Sequence, residues 1–275
     1  MYKILKKEKI GFNMVLMDVL AVEVAKKCLP GQFIVLRIDE NGERIPLTIA
    51  DFNREKGIIT IIIQAVGYTS RKLCNMNKGD YFIDFIGPLG KATKIENYGT
   101  VLCVGGGAGI APIYPIAKAL KEKGNKVVSI IGAKSKKYLI WEDMMKNVSN
   151  ELYIMTDDGS YGEKGLVTDA IKKILNLNKI NKIWAIGPVI MMKFVCILTK
   201  KYNIETIVSM NPIMVDGTGM CGACRVKVGN NIKFACVDGP EFDGHKIDWE
   251  LALQRMNIYI EKEKISLKKA EKEGI

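Results

Sequence analysis

The stretch Val104-Gly-Gly-Gly-Ala-Gly-Ile-Ala-Pro112 decides how the middle of this chain folds. It follows an apolar run at residues 100–104 and opens a helical pattern at residues 112–123. Glycines at such a strand-to-helix junction let the backbone approach a pyrophosphate, and the helix N-terminus favours an anion. Pro112 suits the first helical position but occupies the place of the third glycine of G-x-G-x-x-G. Against a glycine turn without ligand, we predict dinucleotide binding at Gly106, Gly107, Ala108 and Gly109.

An alternation of strands and helices surrounds this stretch. Apolar strands are predicted at residues 100–104, 126–131, 151–156, 182–186 and 206–209, with helices at residues 112–123, 165–175 and 188–200. Such alternation is typical of a parallel sheet with helices on both faces. We therefore predict a nucleotide-binding α/β domain over residues 99–209.

Two further segments fall at the carboxyl edge of this sheet, where open α/β folds bind ligands. Asp157 and Asp158 follow the third strand, and Gly187 and Pro188 follow the fourth. The two aspartates are equally typical of a turn or a helix cap. The second strand runs into residues 132–136 (GAKSK), which lack the acid of an ordinary NAD site. That local chemistry weakly favours a 2′-phosphate and leaves the choice between NAD and NADP open.

Residues 1–98 read as short strands and turns. Runs rich in β-branched or aromatic residues at 31–38, 57–66 and 80–87 are bounded by Gly, Pro, Asn or Asp. Several short strands with turn signals predict a small antiparallel β-barrel. Arg44 and Thr48 lie between two of these strands, where a hydroxyl could meet a flavin ring and a guanidinium could pair with phosphate. On chemistry alone, ordinary strand and turn roles remain the favoured interpretation.

The last region, residues 210–275, contains the most specific motif. Asp216, Cys221, Cys224 and Cys236 form the pattern D-x4-C-x2-C-x11-C. This is the plant-type two-iron spacing with aspartate in the first position. A zinc site is the alternative, although zinc usually takes a second pair of Cys or His, and the one histidine, His245, lies beyond the motif. Asp216 could also be a bystander. A charged helix is predicted over residues 249–269.

Composition excludes several classes of protein. Apolar residues make up 48% of the 275, which indicates a globular chain, and no apolar run reaches the roughly 20 residues that a bilayer needs. The net charge of +11 comes almost entirely from scattered lysines, so we do not predict nucleic-acid binding. The start of the chain has no signal-peptide pattern, and the seven cysteines do not suggest a disulfide scaffold. We expect a cytoplasmic protein.

The order of these parts resembles the ferredoxin–NADP reductase superfamily. Within it, the chain is most similar to the small (alpha) subunits of NADH-dependent reduced ferredoxin:NADP+ oxidoreductases, with sulfide dehydrogenase beta subunits as near relatives. The residues that carry the likeness are Ile45-Pro-Leu-Thr-Ile-Ala-Asp51, residues 156–169 (TDDGSYGEKGLVTD), the cysteine loop and residues 239–257 (GPEFDGHKIDWELALQRMN).

The resemblance implies three cofactors. An FAD-binding β-barrel would use Pro46, Leu47, Thr48, Ile62, Ile63, Gln64, Gly67, Tyr68 and Thr69. The glycine turn and the region around Asp157 would take NAD(H), with NADP(H) less expected at this subunit. A [2Fe-2S] cluster would be ligated by Asp216, Cys221, Cys224 and Cys236. A fourth cysteine would be expected in the electron-transfer subunit of dihydroorotate dehydrogenase.

The resemblance also implies a partner and an activity. The chain would pair with a larger flavin and iron–sulfur subunit and would exchange electrons with ferredoxin through that complex, by electron bifurcation. The alternatives are an electron-transfer subunit of dihydroorotate dehydrogenase, of a sulfide or polysulfide reductase, or of a hydrogenase. A non-enzymatic, zinc-stabilised nucleotide-binding regulator is an alternative of a different class.

Overall fold

Two antiparallel sheets enclose one core in the first part of the chain. The computed structural model describes residues 1–274. One sheet has five strands in the order β5-β6-β2-β1-β7, and the other has three in the order β4-β3-β8. The strands are β1 (Tyr2–Gly11), β2 (Met14–Leu20), β3 (Phe33–Arg37), β4 (Ile45–Thr48), β5 (Asp51–Asn53), β6 (Ile58–Gln64), β7 (Tyr81–Phe82) and β8 (Asp84–Leu89), with helices α1 (Val22–Lys27) and α2 (Tyr68–Asn75).

Side-chain alternation explains why these strands close around a common interior. In β6 the isoleucines at positions 59, 61 and 63 are buried, whereas the residues between them are half-buried. The buried set meets Ile34 and Leu36 of β3, which belongs to the other sheet, in one apolar core. Because successive residues of a strand point to opposite faces, the outer face of β6 remains available for other contacts. The antiparallel barrel-like domain predicted from the sequence is confirmed.

A mostly parallel sheet follows, in the order β12-β11-β10-β9-β13-β14-β17, where the edge strand β17 is Glu241–Asp243 of the C-terminal region. The switch point lies between β9 and β13, on either side of which the strand order reverses. The elements are β9 (Thr100–Gly106), α3 (Ile110–Glu122), β10 (Lys126–Ala133), α4 (Glu142–Val148), β11 (Glu151–Thr156), β12 (Glu163–Lys164), α5 (Val167–Leu177), β13 (Lys182–Ile186), α6 (Val189–Lys200) and β14 (Thr206–Ser209). The predicted α/β domain is confirmed, although α4 and β12 were not predicted.

The glycine turn enters its helix differently from the prediction. Residues Gly107–Gly109 form a single 3₁₀ turn, and α3 begins at Ile110. Pro112 is therefore the third residue of the helix rather than the first. The proline is still tolerated there because the first four N–H groups of a helix have no partner within it.

The C-terminal region completes the molecule with β15 (Arg225–Val228), β16 (Asn231–Phe234), β17 (Glu241–Asp243), α7 (Trp249–Met256) and α8 (Ile260–Lys272). The prediction of one helix over residues 249–269 was wrong, because a turn at residues 257–259 separates α7 from α8. The two helices serve different neighbours: α7 contacts β15, whereas α8 contacts α2 of the barrel. A single straight helix could not pack against both. The boundaries at residues 98 and 209 remain predictions.

Glu241 lies where the three parts of the chain meet. It pairs with Ser209 in the β14–β17 ladder, and its Oε1 accepts a hydrogen bond of 2.6 Å from Thr93 Oγ1, in the segment between barrel and parallel sheet. A methyl group added to Gly31 of the barrel would lie 3.0 Å from the same oxygen. Burial raises the pKa of Glu241 to about 7, against the opposing effects of Thr93 and Lys182.

We predict that Glu241→Gln flattens the pH dependence of stability. The pKa of this carboxyl is higher in the folded protein (about 7) than its ordinary value of 4.5, so the folded state binds the proton more tightly. The free energy of unfolding of the parent should therefore fall as pH rises from 4.5 through 7, by on the order of 2 kcal/mol. Denaturant unfolding between pH 5 and pH 8 measures this change.

Glu55→Gln is the matched control, since it makes the same substitution at an exposed position in the β5–β6 turn. It should retain the slope of the parent. A Glu241→Gln slope equal to that of the parent would contradict a raised pKa at Glu241.

Candidate cofactor sites

The glycine turn after β9 packs directly against the loop after β13. An added Cβ at Gly109 would lie 2.2 Å from the carbonyl oxygen of Ile186, and one at Gly187 would lie 3.0 Å from the carbonyl oxygen of Gly106. At Gly106 an added Cβ would meet Met191 at 2.3 Å and Pro188 at 3.2 Å. The structure thus brings together the predicted residues Gly106, Gly109, Gly187 and Pro188, at the switch point of the sheet.

Gly107, unlike Gly106 and Gly109, has open space around it. Its φ of +54° is in the left-handed region, and nothing lies within 4 Å of an ideal Cβ at this position. The turn is therefore closed on the side of β13 and open on the side of Gly107. An open glycine surface next to the N-terminus of α3 fits the pyrophosphate of a dinucleotide.

Asp157 and Asp158 occupy the exposed loop after β11, beside the loop after β10. The Asp157 N–H donates to Ala133 O, and Lys136 N–H donates to Ser160 Oγ, so the two loops are joined. Asp158 Oδ1 accepts from the Ser160 N–H at 2.9 Å, and the pKa of this carboxyl is lowered mainly by its hydrogen bonds to Ser160. Asp158 therefore holds a turn, which was the alternative interpretation of this residue. Asp157 is exposed at the carboxyl end of β11, and a role for it in dinucleotide binding stays a prediction.

We predict that Gly109→Ala destabilises the protein by roughly 3 kcal/mol, because the new methyl overlaps the Ile186 carbonyl and the loop after β13 has to move. Gly107→Ala is the control. It adds the same methyl in open space and should cost about 1 kcal/mol for its left-handed backbone. Denaturant unfolding compares the two variants, and equal losses would contradict the close approach of the two loops.

The flavin segment predicted on β4 splits between two faces. Residues 46, 47 and 48 pair with Val35, Ile34 and Phe33 of β3, respectively. Leu47 packs against the barrel core, so it offers only backbone atoms to a ligand outside the barrel. Pro46 and Thr48 share the outer face with Val35 and Phe33, because directly paired residues point to the same side of a sheet.

The segment predicted on β6 splits in the same way. Ile63 is 1% exposed inside the barrel, whereas Ile62 and Gln64 are half-buried on its outer face. Ile62 packs against the core that contains Val101 of β9 and Ile110 of α3. The outer face of β6 therefore lies next to the glycine turn. The residues of β6 predicted to bind FAD and those predicted to bind the dinucleotide are neighbours.

The third flavin segment forms the first turn of α2. Gly67 precedes the helix, Tyr68 begins it, and Thr69 donates to Glu43 Oε2 at 2.5 Å. Ser70, which we did not select from the sequence, shapes this segment, since its Oγ accepts from the N–H groups of both Val66 and Gly67. A serine three residues after Gly67, in the capping-box position of a helix start, was the available signal. The N–H groups of this first turn fit an anionic group such as a phosphate.

The cysteine loop brings two of its sulfur atoms together. Cys224 Sγ and Cys236 Sγ lie 3.2 Å apart and are buried, whereas Cys221 is exposed and lies outside this pair. Backbone N–H groups already point at the sulfurs: that of Ala223 at Cys221 (3.5 Å) and that of Cys236 at Cys224 (3.4 Å). Over residues 1–274, no three or more His, Cys, Asp and Glu side chains are grouped as a metal-binding set.

The chemistry of the loop nevertheless fits an iron–sulfur cluster. Two thiols lie in the loop before β15, and the β15–β16 hairpin returns the third, Cys236, to that loop. N–H donors to sulfur are a recurrent feature of iron–sulfur clusters. Gly217, Gly219 and Gly222 all have positive φ, which lets the loop wrap tightly without side chains in the way.

Asp216 stabilises the same loop through two hydrogen bonds. Its Oδ1 accepts from the Thr218 N–H and its Oδ2 from the Cys221 N–H, both at 2.7 Å. The hydrogen bond from Thr218 is the largest of the effects that lower the pKa of this carboxyl. The carboxylate is therefore held next to Cys221, and it serves the loop as a cap whether or not it also binds iron.

The cysteine loop packs against the barrel. An added Cβ at Gly217 would lie 3.0 Å from Val35 of β3 and 3.1 Å from Leu89 of β8. Cys224 and Cys236 share one buried apolar core with Phe33 and Val35. The outer face of β3 is therefore covered by the cysteine region, while the paired strand β4 carries Pro46 and Thr48 of the flavin segment.

We predict that Asp216→Cys retains a cluster whose reduction potential and EPR spectrum differ from those of the parent, because a thiolate replaces a harder oxygen ligand. Asp238→Asn is the control: Asp238 also accepts from a backbone N–H in this region, that of Phe234 at 2.8 Å, but it is not in the proposed ligand set. An unchanged potential and spectrum in Asp216→Cys would remove Asp216 from the ligands.

Comparison with known proteins agrees with this division of the chain. Residues 103–197 match the oxidoreductase NAD-binding domain, and residues 211–248 match the iron–sulfur cluster binding domain of dihydroorotate dehydrogenase B. These matches, together with the fold, define an iron–sulfur oxidoreductase subunit of the ferredoxin reductase type. The predicted fold and cofactor classes are thereby confirmed.

Full-length relatives identify the family. The chain is 51% identical to the Thermotoga maritima homolog of the dihydroorotate dehydrogenase B (NAD+) electron transfer subunit, covering 96% of this chain and 93% of that one. It is 35% identical to the electron transfer subunit of dihydroorotate dehydrogenase B from Fusobacterium nucleatum, covering 82% and 89%. The chain belongs to the family of dihydroorotate dehydrogenase B-like electron-transfer subunits.

Solved structures narrow the resemblance. A chain of the NADH-dependent reduced ferredoxin-NADP oxidoreductase, studied for flavin-based electron bifurcation, is 49% identical and superposes with a TM-score of 0.93, covering 98% of this chain and 97% of that one. Phthalate dioxygenase reductase shares the fold at 15% identity and a TM-score of 0.60, with 82% and 85% covered. The resemblance recognised in the sequence is confirmed. Across residues 1–274, every helix falls short of the length and apolarity needed to span a bilayer.

Proposed function

We propose that this chain is the electron-transfer subunit of an NADH-dependent reduced ferredoxin:NADP+ oxidoreductase, and that it moves electrons between NAD(H), FAD and a [2Fe-2S] cluster. The observation that carries the proposal is the central position of the barrel. Its outer face at Ile62 meets the core of the glycine turn, and its outer face at Val35 meets the core of the cysteines. The barrel residues predicted to bind FAD thus lie between the glycine turn (residues 106–109) and the cysteine loop (residues 216–236).

This order of sites suits the chemistry. FAD held by residues 46–48, 62–64 and 67–69 would supply the conversion of two-electron hydride transfer into one-electron transfer to an iron–sulfur cluster. The chain itself positions the participants: Gly106, Gly107 and Gly109 receive the pyrophosphate, and Thr48 presents its hydroxyl on the outer face of β4. No side chain needs to act as acid or base in the hydride step, so the protein contributes orientation of the reacting groups.

The nucleotide at this subunit is proposed to be NAD(H) rather than NADP(H). Asp157 is exposed at the carboxyl end of β11, where its charge would repel a 2′-phosphate. Lys134 in the neighbouring loop acts in the opposite sense. The relatives are named as NAD+- and NADH-dependent proteins, which supports NAD(H).

The proposed partner is a larger flavin and iron–sulfur subunit through which electrons reach ferredoxin. A second candidate function is electron transfer to a dihydroorotate dehydrogenase, which the names of several relatives favour. Asp216 argues for the first candidate, because a cysteine is expected at this position in the second. The seven cysteines are all unpaired in the structure, which supports a reducing, cytoplasmic setting.

We predict that the chain, purified anaerobically with its partner, contains FAD and about two irons for this chain's cluster region. NADH should bleach the flavin absorption of the isolated chain within the mixing time of a stopped-flow experiment, and NADPH should do so much more slowly. Metal analysis that returns zinc instead of iron, without flavin, would favour the zinc-stabilised regulator.

The complex distinguishes the two enzymatic candidates. Reduction of NADP+ that requires both NADH and reduced ferredoxin supports the proposal. Reduction of NAD+ by dihydroorotate, with no requirement for ferredoxin, would replace it with the second candidate. The partner subunit that co-purifies provides an independent readout.

A further inference from the structure

The two C-terminal helices connect the cysteine loop to the barrel. At the end of α7, Arg255 Nη2 donates to the carbonyl oxygen of Ala223, which lies between two of the cysteines, at 2.9 Å. At its start, Trp249 Nε1 donates to the carbonyl oxygen of Gly244 at 3.0 Å. After the turn at residues 257–259, α8 leaves this region and packs against α2.

Helix α8 packs on the barrel through only a few of its residues. Ala270 is fully buried, Ser266 and Leu267 are half-buried, and the other residues of α8 are exposed. A 13-residue helix of this composition is marginal in water by itself. Its contact with α2 is therefore what keeps it helical, and that contact lies at the flavin segment.

Tyr68 is the residue on which the contact centres. Its hydroxyl donates to Glu273 Oε2 at 2.6 Å, and Lys269 Nζ lies 5.6 Å from the centre of its ring. Tyr68 is also the first residue of α2, next to Thr69, whose hydroxyl is held by Glu43. The side chains of Tyr68 and Thr69 are thus held by hydrogen bonds to residues outside α2. Its leading N–H groups have no partner within the helix.

We propose that α8 is a brace that positions the flavin-binding turn of α2 through Tyr68 and Glu273. This inference rests on the proposed function, since it takes Gly67, Tyr68 and Thr69 as part of the FAD site. Tyr68 is a positioning residue: its side chain is engaged by α8, and the backbone N–H groups of its turn are the groups offered to the phosphates. Arg255 at the end of α7 and Glu273 at the end of α8 thus connect the cysteine loop and the first turn of α2 to two consecutive helices.

Charge alone predicts the opposite effect, which makes the proposal testable. Glu273 places a carboxylate beside a site for an anionic cofactor, so its neutralisation should strengthen FAD binding if electrostatics dominated. Nearby, Lys269 and the Lys72–Asp39 ion pair (2.6 Å) add charges of both signs. If the brace dominates, loss of the Tyr68–Glu273 hydrogen bond weakens FAD binding even when no charge changes.

The test measures FAD affinity in Tyr68→Phe, Glu273→Gln and the double variant of the full chain. FAD fluorescence during titration of the flavin-depleted protein gives the Kd, well below the melting temperature. We expect each single variant to bind FAD about fivefold more weakly, as for the loss of one hydrogen bond. The double variant should be no weaker than the single variants, because both remove the same interaction.

Glu261→Gln is the matched control, since it makes the same charge change in the first turn of α8, where Glu261 pairs with Lys264 of the same helix. It should leave the Kd unchanged. An unchanged Kd in Tyr68→Phe, or tighter binding in Glu273→Gln, would overturn the brace. If the parent chain itself binds no FAD, the proposed function fails instead, and the iron content and NADH titration identify that outcome separately.

Discussion

The pairing of β3 with β4 is the constraint on which the rest of the structure depends. Val35 and Phe33 of β3 pair with Pro46 and Thr48 of β4, so all four point to the outer face of the barrel. On that face Val35 and Phe33 are buried with Cys224 and Cys236. Neighbouring strands lie only about 4.8 Å apart, so a flavin on β4 and a cluster in the cysteine loop would be held close together by backbone hydrogen bonds.

The nucleotide side is held by a different kind of contact. Three glycines, Gly106, Gly109 and Gly187, allow the loops after β9 and β13 to touch backbone to backbone. Side chains at these positions would separate the loops and widen the crevice at the switch point. The barrel side contributes Ile62, which packs into the same region. The glycine turn is therefore held by backbone contact with the loop after β13 and by apolar packing against Ile62 of β6.

Much of the fold could be predicted from the sequence because its signals are local. The strands at residues 151–156, 182–186 and 206–209 agree with β11, β13 and β14 because apolar runs between turn residues are local patterns. The break in the last helix was missed, since no Gly or Pro marks residues 257–259. That turn exists because α7 and α8 pack on different parts of the molecule. Tertiary contacts of this kind leave no local signal.

The segments that form the candidate site could be predicted from the sequence, but the face of the barrel to which each side chain points could not. The sequence identifies residues 46–48 and 62–64 as segments, whereas the pairing of the strands assigns Leu47 and Ile63 to the barrel interior. Ser70 and the contact of Tyr68 with Glu273 depend on partners 3 and 205 residues away, respectively. Asp216 was recognised as a member of the cysteine motif, but its two backbone hydrogen bonds required the structure.

The distance between flavin and cluster tests the central claim most directly. It can be measured by pulsed EPR on anaerobic protein in which both centres are in their paramagnetic states. If β3 and β4 hold the two centres on neighbouring strands, their separation should be on the order of 10–15 Å. A separation above about 25 Å, or no detectable dipolar coupling, would contradict the account, because several strands would then have to lie between the centres.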